Sequence, residues 1–357
     1  MATQHPPMPH DIRPLTLDDL PDLSRFLTEG FHTPPDAPFA AVDVLRWKYF
    51  DPRGAEAGPA PRSHLARDPA TGEVVGHVGV CPVRWHGGGL LAEGVSTVHM
   101  IDWLSSRDGL GVGASLMRRA HQGAETQYGF GGSAAGRGVI DRGGYGLVQK
   151  VPVFQNVLRP GHRLRVPGQG GAGRVLRAVK DVAGRLARWP QRPRAAVELR
   201  PVASFGDEVR PVLASFERLA VFTTREPDLL NHFLRYPRGG LTGWHVLHAG
   251  VLRGFAVLAL VPQPGGVTAG RVAECLLDAD EPDLWHAAAV ALTHELRRQG
   301  ADLAQAFAGT EREARAWRGA GYAPLHALEF RLRDRGRCLP CGSAFHLTPM
   351  EADYAYT

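Results

Sequence analysis

Two stretches of the chain, LRWKYFDPRG at Leu45 to Gly54 and LNHFLRYPRG at Leu230 to Gly239, align without a gap, and the segments after each keep the same order. GEVVGHVGV is matched by GVLRGFAVL, EGVSTVHMIDWL by RVAECLLDADEP, YGFGGSAAG by ADLAQAFAG, and RGGYGLVQKVPVFQNVLR by RGAGYAPLHALEFRLR. Apolar alternation and helical spacing turn each half into helix, strand, strand, strand, helix, strand, helix, strand. The repeated long helices are expected at Val112 to Gln127 and Leu284 to Gln299. Such alternation predicts an α/β class fold, a mixed sheet with helices on its faces, built twice. A length of 357 residues fits two domains. The expected division is 10–158, a linker at 159–194, 195–335, and a tail at 336–357.

Composition narrows the function classes. With 44% hydrophobic and 22% charged residues, the chain reads as globular. It has no apolar run of about eighteen residues, and MATQHPPMPHDIRP lacks signal-peptide character, so a cytoplasmic protein without membrane insertion is expected. The CxxC of Cys338 and Cys341 has only His346 nearby, too few ligands for structural zinc, so no metal is expected. From Arg159 to Arg200 there are eleven Lys or Arg against two acids, Asp181 and Glu198. This segment opens with a Gly- and Pro-rich linker, Pro160 to Arg174. An amphipathic helix comes next, with Val175, Val179, Val182 and Leu186 on one face, ending at Trp189. Without interleaved aromatics it reads as a solvated helix face, ahead of a nucleic-acid contact.

The chemistry-bearing stretch is SSRDGLGVGASLM, where Gly109, Gly111 and Gly113 join a strand to a helix. Glycine lets the backbone approach a ligand, and a helix start leaves N–H donors unpaired, which together suit an anion. A Walker loop would need a lysine here, and a dinucleotide fingerprint would need GxGxxG rather than GxGxG.

GLGVGASLM resembles the pyrophosphate loop of the GNAT acyltransferase superfamily, (Q/R)xxGxG followed by a helix, with Asp108 standing where Gln or Arg is usual and Arg107 one residue early. IRPLTLDDLPDLSRFL, GEVVGHVGVCPV and the GGYG turn at Gly143 to Gly146 are similar to other parts of that superfamily. The LRWKYFDP segment and the closing FHLTPMEADYAY resemble tandem members associated with polysaccharide biosynthesis. The resemblance implies two GNAT-like domains, each a mixed, mostly antiparallel sheet flanked by helices. It implies acetyl-CoA or another acyl-CoA as co-substrate and a small-molecule amine, such as an amino sugar, as acceptor. The pantetheine arm would lie along Trp103, Leu104 and Ser105. The pyrophosphate would meet Arg107, Asp108, Gly109, Leu110, Gly111, Val112, Gly113 and Ala114. In the second half the corresponding turn, ADEPDLWHA, has three acids and no glycine, so that copy is expected to hold no coenzyme and to shape the acceptor site.

Direct attack on the thioester needs a base for the amine and a donor for the oxyanion. Asp102 is the candidate base, with pairing to a neighbouring basic residue or capping of the loop as its alternative; strand alternation sets it on the opposite sheet face from Ile101 and Trp103. His99 and Glu93 stand behind it. The superfamily's tyrosine acid falls at Ile140 and Trp317, neither of which donates a proton to sulfur, leaving Tyr145 as the nearest phenol, with a packing role as its alternative. Trp47 and Tyr49, and Tyr354 and Tyr356, are candidates for acceptor binding or for packing. The expected protein is an N-acetyltransferase, monomeric or homodimeric; the alternative is a non-catalytic acyl-CoA-binding or regulatory protein.

Overall fold

A computed structural model of the chain describes residues 11–53, 62–90, 93–106, 111–122, 124–132, 134–165, 171–188, 190–340 and 342–351. They fall into two compact units whose segments interleave along the sequence. The first comprises residues up to Arg84, Ser96–Gly146 and Arg331–Cys338; the second comprises Trp85–Val95, Leu147–Phe330 and the residues from Leu339.

In chain order the elements of the first half are β1 (Asp11–Pro14), α1 (Leu20–Gly30), α2 (Val42–Tyr49), β2 (Ser63–Arg67), β3 (Val74–Gly87), β4 (Val95–Ser105), α3 (Val112–Ala120), β5 (Thr126–Phe130) and α4 (Ala134–Arg142). Then come β6 (Gly146–Val157), α5 (Gly171–Ala187), β7 (Glu198–Val202), α6 (Arg210–Phe216), β8 (Val221–Thr223) and α7 (Pro227–Leu234). The chain continues through β9 (Leu241–His248), β10 (Val251–Gln263), β11 (Val267–Leu277), α8 (Pro282–Arg298), β12 (Leu303–Phe307), α9 (Glu311–Gly319) and β13 (Ala323–Asp334). The repeat is therefore present element for element, from α2 to β6 and from α7 to β13. One helix is shorter than its sequence pattern: α3 stops at Ala120, and Thr126 and Gln127 belong to β5, buried opposite Thr97 and Val98.

In the first unit the strands run in the order β1-β2-β3-β4-β5, antiparallel from β1 to β3, with β4 and β5 parallel. Alternation along each strand serves two faces. Leu65 and Cys81 face α1 and α2, where Leu20, Leu23 and Leu27 recur at helical spacing beside Leu45 and Tyr49. Their neighbours Ala66 and Val80 face α3, packing with Val78, Val98, Met100, Val112, Leu116 and Tyr145. Each fully buried leucine contributes roughly 1.5–3 kcal/mol by area. Gly76 on β3 lets α3 sit close: a Cβ there would lie 2.5 Å from Val112 Cγ1. Asp19 fixes the start of α1. Burial alone would raise its carboxyl, but the Arg13 and Arg67 guanidinium groups and Thr16 hold it far below the usual carboxylate range.

The second unit orders its strands β13-β6-β12-β11-β10-β9-β7, and its β11 and β12 repeat the parallel pair. The tip of β3, Trp85–Gly87, belongs here and pairs antiparallel with β8. Helix α8 buries Leu284, Ala288, Leu292 and Leu296 along one side, and Thr310 with Glu313 closes a capping box at α9. Phe345, Leu347 and Met350 of the closing segment are buried, with Phe345 edge-on to Trp85 and packed against Phe330.

Candidate active site

Strand β4 is paired with β5 over Thr97–His99 opposite Thr126–Tyr128, then runs six residues further to Ser105. The interruption has a local cause. Asp102 has a φ of 48°, in the left-handed region that a non-glycine residue rarely occupies. One such residue reverses the alternation of the strand. Ile101, Asp102 and Leu104 consequently all serve the α1 and α2 side, while Trp103 packs on the α3 side. The alternation expected from sequence, with Asp102 opposite Ile101, is thereby corrected.

The turn after β4 is only partly within the described residues: Arg107, Asp108, Gly109 and Leu110 lie outside them. Ser106 N–H donates to Val75 O at 2.9 Å, which ties the end of β4 to β3. Gly111 then caps α3 with φ 81° and ψ −7°, a conformation that favours glycine, and a Cβ placed on it would meet nothing within 4 Å among the described residues. The helix's first backbone bond runs from Ser115 N–H to Gly111 O at 3.0 Å. By helix geometry, the N–H groups of Val112, Gly113 and Ala114 precede any intrahelical acceptor. Gly113 is needed for contact: its Cβ would lie 3.0 Å from Ser105 Oγ and 3.4 Å from the Trp103 ring. Val112 is buried, whereas Gly111 and Ala114 are exposed, so the helix start presents backbone rather than bulk. Trp103 Nε1–H is buried without an acceptor among the described residues.

Beneath the bulge lies a polar cluster that sequence reasoning missed. Asp102 Oδ2 accepts from Lys48 Nζ at 3.0 Å and from Tyr49 OH at 2.7 Å, and Lys48 is 1% exposed. His77 Nδ1 bonds the Asp102 carbonyl at 2.9 Å, and its Nε2 lies 2.6 Å from Ser63 Oγ. A carbonyl only accepts, so Nδ1 carries the proton and Nε2 accepts from the serine hydroxyl. Burial pushes His77 down to about 3; the hydrogen bond to the Asp102 carbonyl opposes this and Lys48 adds to it. The ring is therefore neutral at physiological pH. α2 supplies the ammonium and the phenol that bind Asp102 Oδ2, so the repeated LRWKYF segment braces the bulge.

The other candidates sit apart from this cluster. Tyr145 is buried among the α3-side core residues, its hydroxyl donating to Gln127 Oε1 at 2.7 Å, and burial raises the phenol well above its ordinary range. His99 is buried and stacks on Tyr128 with ring centres 4.6 Å apart. Glu93 is exposed and falls in the second unit. Trp317 donates from Nε1 to Phe307 O within the second core, and Trp47 is buried; Tyr354 and Tyr356 lie outside the described residues. Cys341 also lies outside them, and among the described residues no group of three or more His, Cys, Asp or Glu side chains is placed to hold a metal ion.

The second unit carries a counterpart. The β10–β11 register skips Ala273, and the next residue, Glu274, stands three residues from the end of β11, as Asp102 does in β4. Glu274 is fully buried. Its oxygens meet Arg225 Nε at 2.5 Å and His346 Nε2 at 2.8 Å, and His346 Nδ1 meets Glu313 at 2.6 Å. Arg225 also binds Glu351 and Thr223 Oγ1. Burial alone would lower His346, yet the Glu274 and Glu313 carboxylates raise it to about 10. Burial would raise Glu274, but Arg225 and His346 bring it to about 2. No glycine precedes α8, which starts from Glu281 and Pro282.

No family model matches the chain, and no curated protein matches it significantly. Solved structures do match its fold. N-myristoyltransferase of Saccharomyces cerevisiae, determined with bound myristoyl-CoA, superposes with a TM-score of 0.61 at 13% identity, over 94% of this chain and 81% of that one. A GCN5-related N-acetyltransferase from Anabaena variabilis gives 0.59 at 10% identity, over 90% and 72%. A putative acetyltransferase from Pyrococcus horikoshii gives 0.56 at 12% identity, over 100% and 99%. The chain thus has the GNAT fold, a mixed α/β architecture whose likeness extends over nearly its full length.

Proposed function

We propose that the chain is an acyl-CoA-dependent N-acyltransferase that transfers an acetyl or similar acyl group to the amine of a small molecule. The observation that carries this reading is the end of β4: it leaves its parallel partner after His99, bulges at Asp102 and runs to a glycine-capped helix start. In a fold shared with N-acyltransferases, such a strand end offers backbone groups to a pantetheine arm at Trp103, Leu104 and Ser105. The N–H groups of Gly111, Val112, Gly113 and Ala114, with residues 107–110, would take the pyrophosphate.

In the proposed reaction the acceptor nitrogen attacks the thioester carbon to form the amide bond, the C–S bond breaks, and the proton given up by the nitrogen passes to the departing coenzyme A thiolate or to water. The arrangement favours a positioning role for Asp102. Its Oδ2 already takes Lys48 and Tyr49, so it serves the reaction by holding the bulge that aims Trp103 to Ser105. Tyr145 commits its proton to Gln127, which favours packing over acid catalysis; a thiolate, with a parent thiol near the ordinary value of about 8.5, leaves adequately without a protein acid. The same two commitments support the second reading, an acyl-CoA binder without turnover.

Calorimetry with acetyl-CoA is the first test. Binding by the native chain and its loss in Gly111→Trp, where a bulky ring replaces the exposed glycine at the helix start, is the expected result. Absence of binding, or binding unchanged by that substitution, sinks both readings. Thiol release across a panel of small amines, amino sugars included, then separates enzyme from binder.

A further inference from the structure

Five of the twelve large apolar side chains exposed among the described residues fall between Leu164 and Val182, on α5 and the turn before it, while the other seven are spread over the rest of the described chain. Leu176 is 71% exposed, Val179 59% and Val175 55%, with Val182 and Leu164 also exposed. On a helix with 3.6 residues per turn, positions 175, 176, 179 and 182 span about 120° of the circumference. Lys180 is exposed about 40° beyond the edge set by Leu176, and Arg177 is exposed about 100° beyond it. Over Gly171–Ala187 the sequence has four Lys or Arg and a single acid, Asp181.

A 17-residue helix of this kind has the form of one that lies in the plane of a membrane surface. Its valines and leucine would enter the acyl boundary, while long cationic side chains keep their heads among the headgroups. It is too short and too charged to cross, and no helix among the described residues is long and apolar enough to do so. The cations favour anionic over zwitterionic lipid. We infer that α5 is a peripheral docking helix for an anionic phospholipid surface. The inference is independent of the proposed acyl transfer, since it rests on α5 alone.

The test is co-sedimentation of the full chain with vesicles of phosphatidylglycerol and phosphatidylcholine in equal parts, against vesicles of phosphatidylcholine alone. Expected is partition at least about tenfold higher onto the anionic vesicles, weakening as salt is raised. The double variant Leu176→Asp/Val179→Asp should lose it while keeping the native circular dichroism spectrum, because both side chains are exposed. Arg177→Glu/Lys180→Glu should lose the preference for anionic lipid. Equal weak partition onto both vesicles, or binding retained in the double Asp variant, overturns the inference. So does sedimentation as a dimer that the double Asp variant converts to monomer, which would make a second copy the occupant. Binding to a single-stranded oligonucleotide in place of anionic vesicles overturns it as well.

Discussion

Each half of the molecule buries one carboxylate at an irregularity three residues before the end of the strand that feeds its long helix, Asp102 in β4 and Glu274 in β11. Their surroundings differ in kind. Asp102 takes an ammonium and a phenol from a single helix, and its backbone carbonyl is bound by a neutral histidine. Glu274 is locked between a guanidinium and a charged imidazole, and these in turn hold Glu313 and Glu351. The first half braces its irregularity with side chains of α2 and places an exposed glycine cap after it. The second half closes its irregularity with the C-terminal segment and places an acidic turn after it. A carboxylate at a strand irregularity thus precedes a glycine-capped helix in one copy and sits in a sealed core in the other.

Removing the central cation of the sealed core is expected to have the largest effect. Arg225→Met leaves Glu274 and Glu351 buried with one cation, His346, and a buried pair broken on one side costs about 3–5 kcal/mol. Urea denaturation would register the loss, and limited proteolysis would show the segment from His346 to Glu351 released. Retention of the native midpoint would mean that the buried network contributes nothing to the closing of that segment. Lys48→Met is the matching experiment in the first half, costing about 3 kcal/mol by the same reasoning because Asp102 keeps Tyr49 as a donor. Its sharper readout is acetyl-CoA affinity: if the bulge aims the strand end, binding falls with Lys48→Met and is untouched in whatever fraction of Arg225→Met remains folded.

Acidity divides the halves further. His77 sits at about 3 when folded and near 6.5 when unfolded, so the unfolded chain binds the extra proton as pH falls. Its contribution is complete above about pH 6.5 and shrinks on acidification, by at most about 1.4 kcal/mol per pH unit. His346, at about 10 when folded, has the opposite sign: its contribution is complete below about pH 6.5 and is lost as pH climbs toward 10. Glu274, lowered to about 2, holds its contribution above about 4.5. Between about pH 6.5 and 4.5 the first half should therefore weaken alone, and from about pH 7 to 10 the second. Imidazole proton resonances give the check: His77 should stay neutral and His346 charged from about pH 5 to 8. A midpoint near 6.5 for either would refute its assignment.

Much of this was legible in the sequence because it is local. The repeat, the order of strands and helices, and the glycine turn all come from short-range periodicity and spacing. The faces of Asp102 and Trp103 were not legible, because a period of two carries no sign that one residue will enter the left-handed region. Nor were the partners of the buried carboxylates. Lys48 lies 54 positions from Asp102, and Glu351 lies 126 from Arg225. One available signal was Lys48 itself, a lysine placed between the aromatic residues Trp47 and Tyr49, which asks for a buried partner. His77, inside the apolar run GEVVGHVGV, asks the same.

The smallest expected effect tests what the phenol adds to the open copy. Tyr49→Phe removes one hydrogen bond to Asp102 Oδ2 and leaves the ring that packs beside His77, with centres 5.5 Å apart. A bond to a charged acceptor in a partly buried site is worth about 1.5–3 kcal/mol when its partner is stranded, but Lys48 still compensates this carboxylate, so about 1 kcal/mol is expected. That amount is readable as a shift in urea midpoint at unchanged slope. If Tyr49 shapes the acceptor pocket instead of supporting the bulge, the substitution should raise the KM for the amine with kcat and acetyl-CoA affinity unchanged. If it supports the bulge, acetyl-CoA affinity should fall with stability, and in the same order as in Lys48→Met.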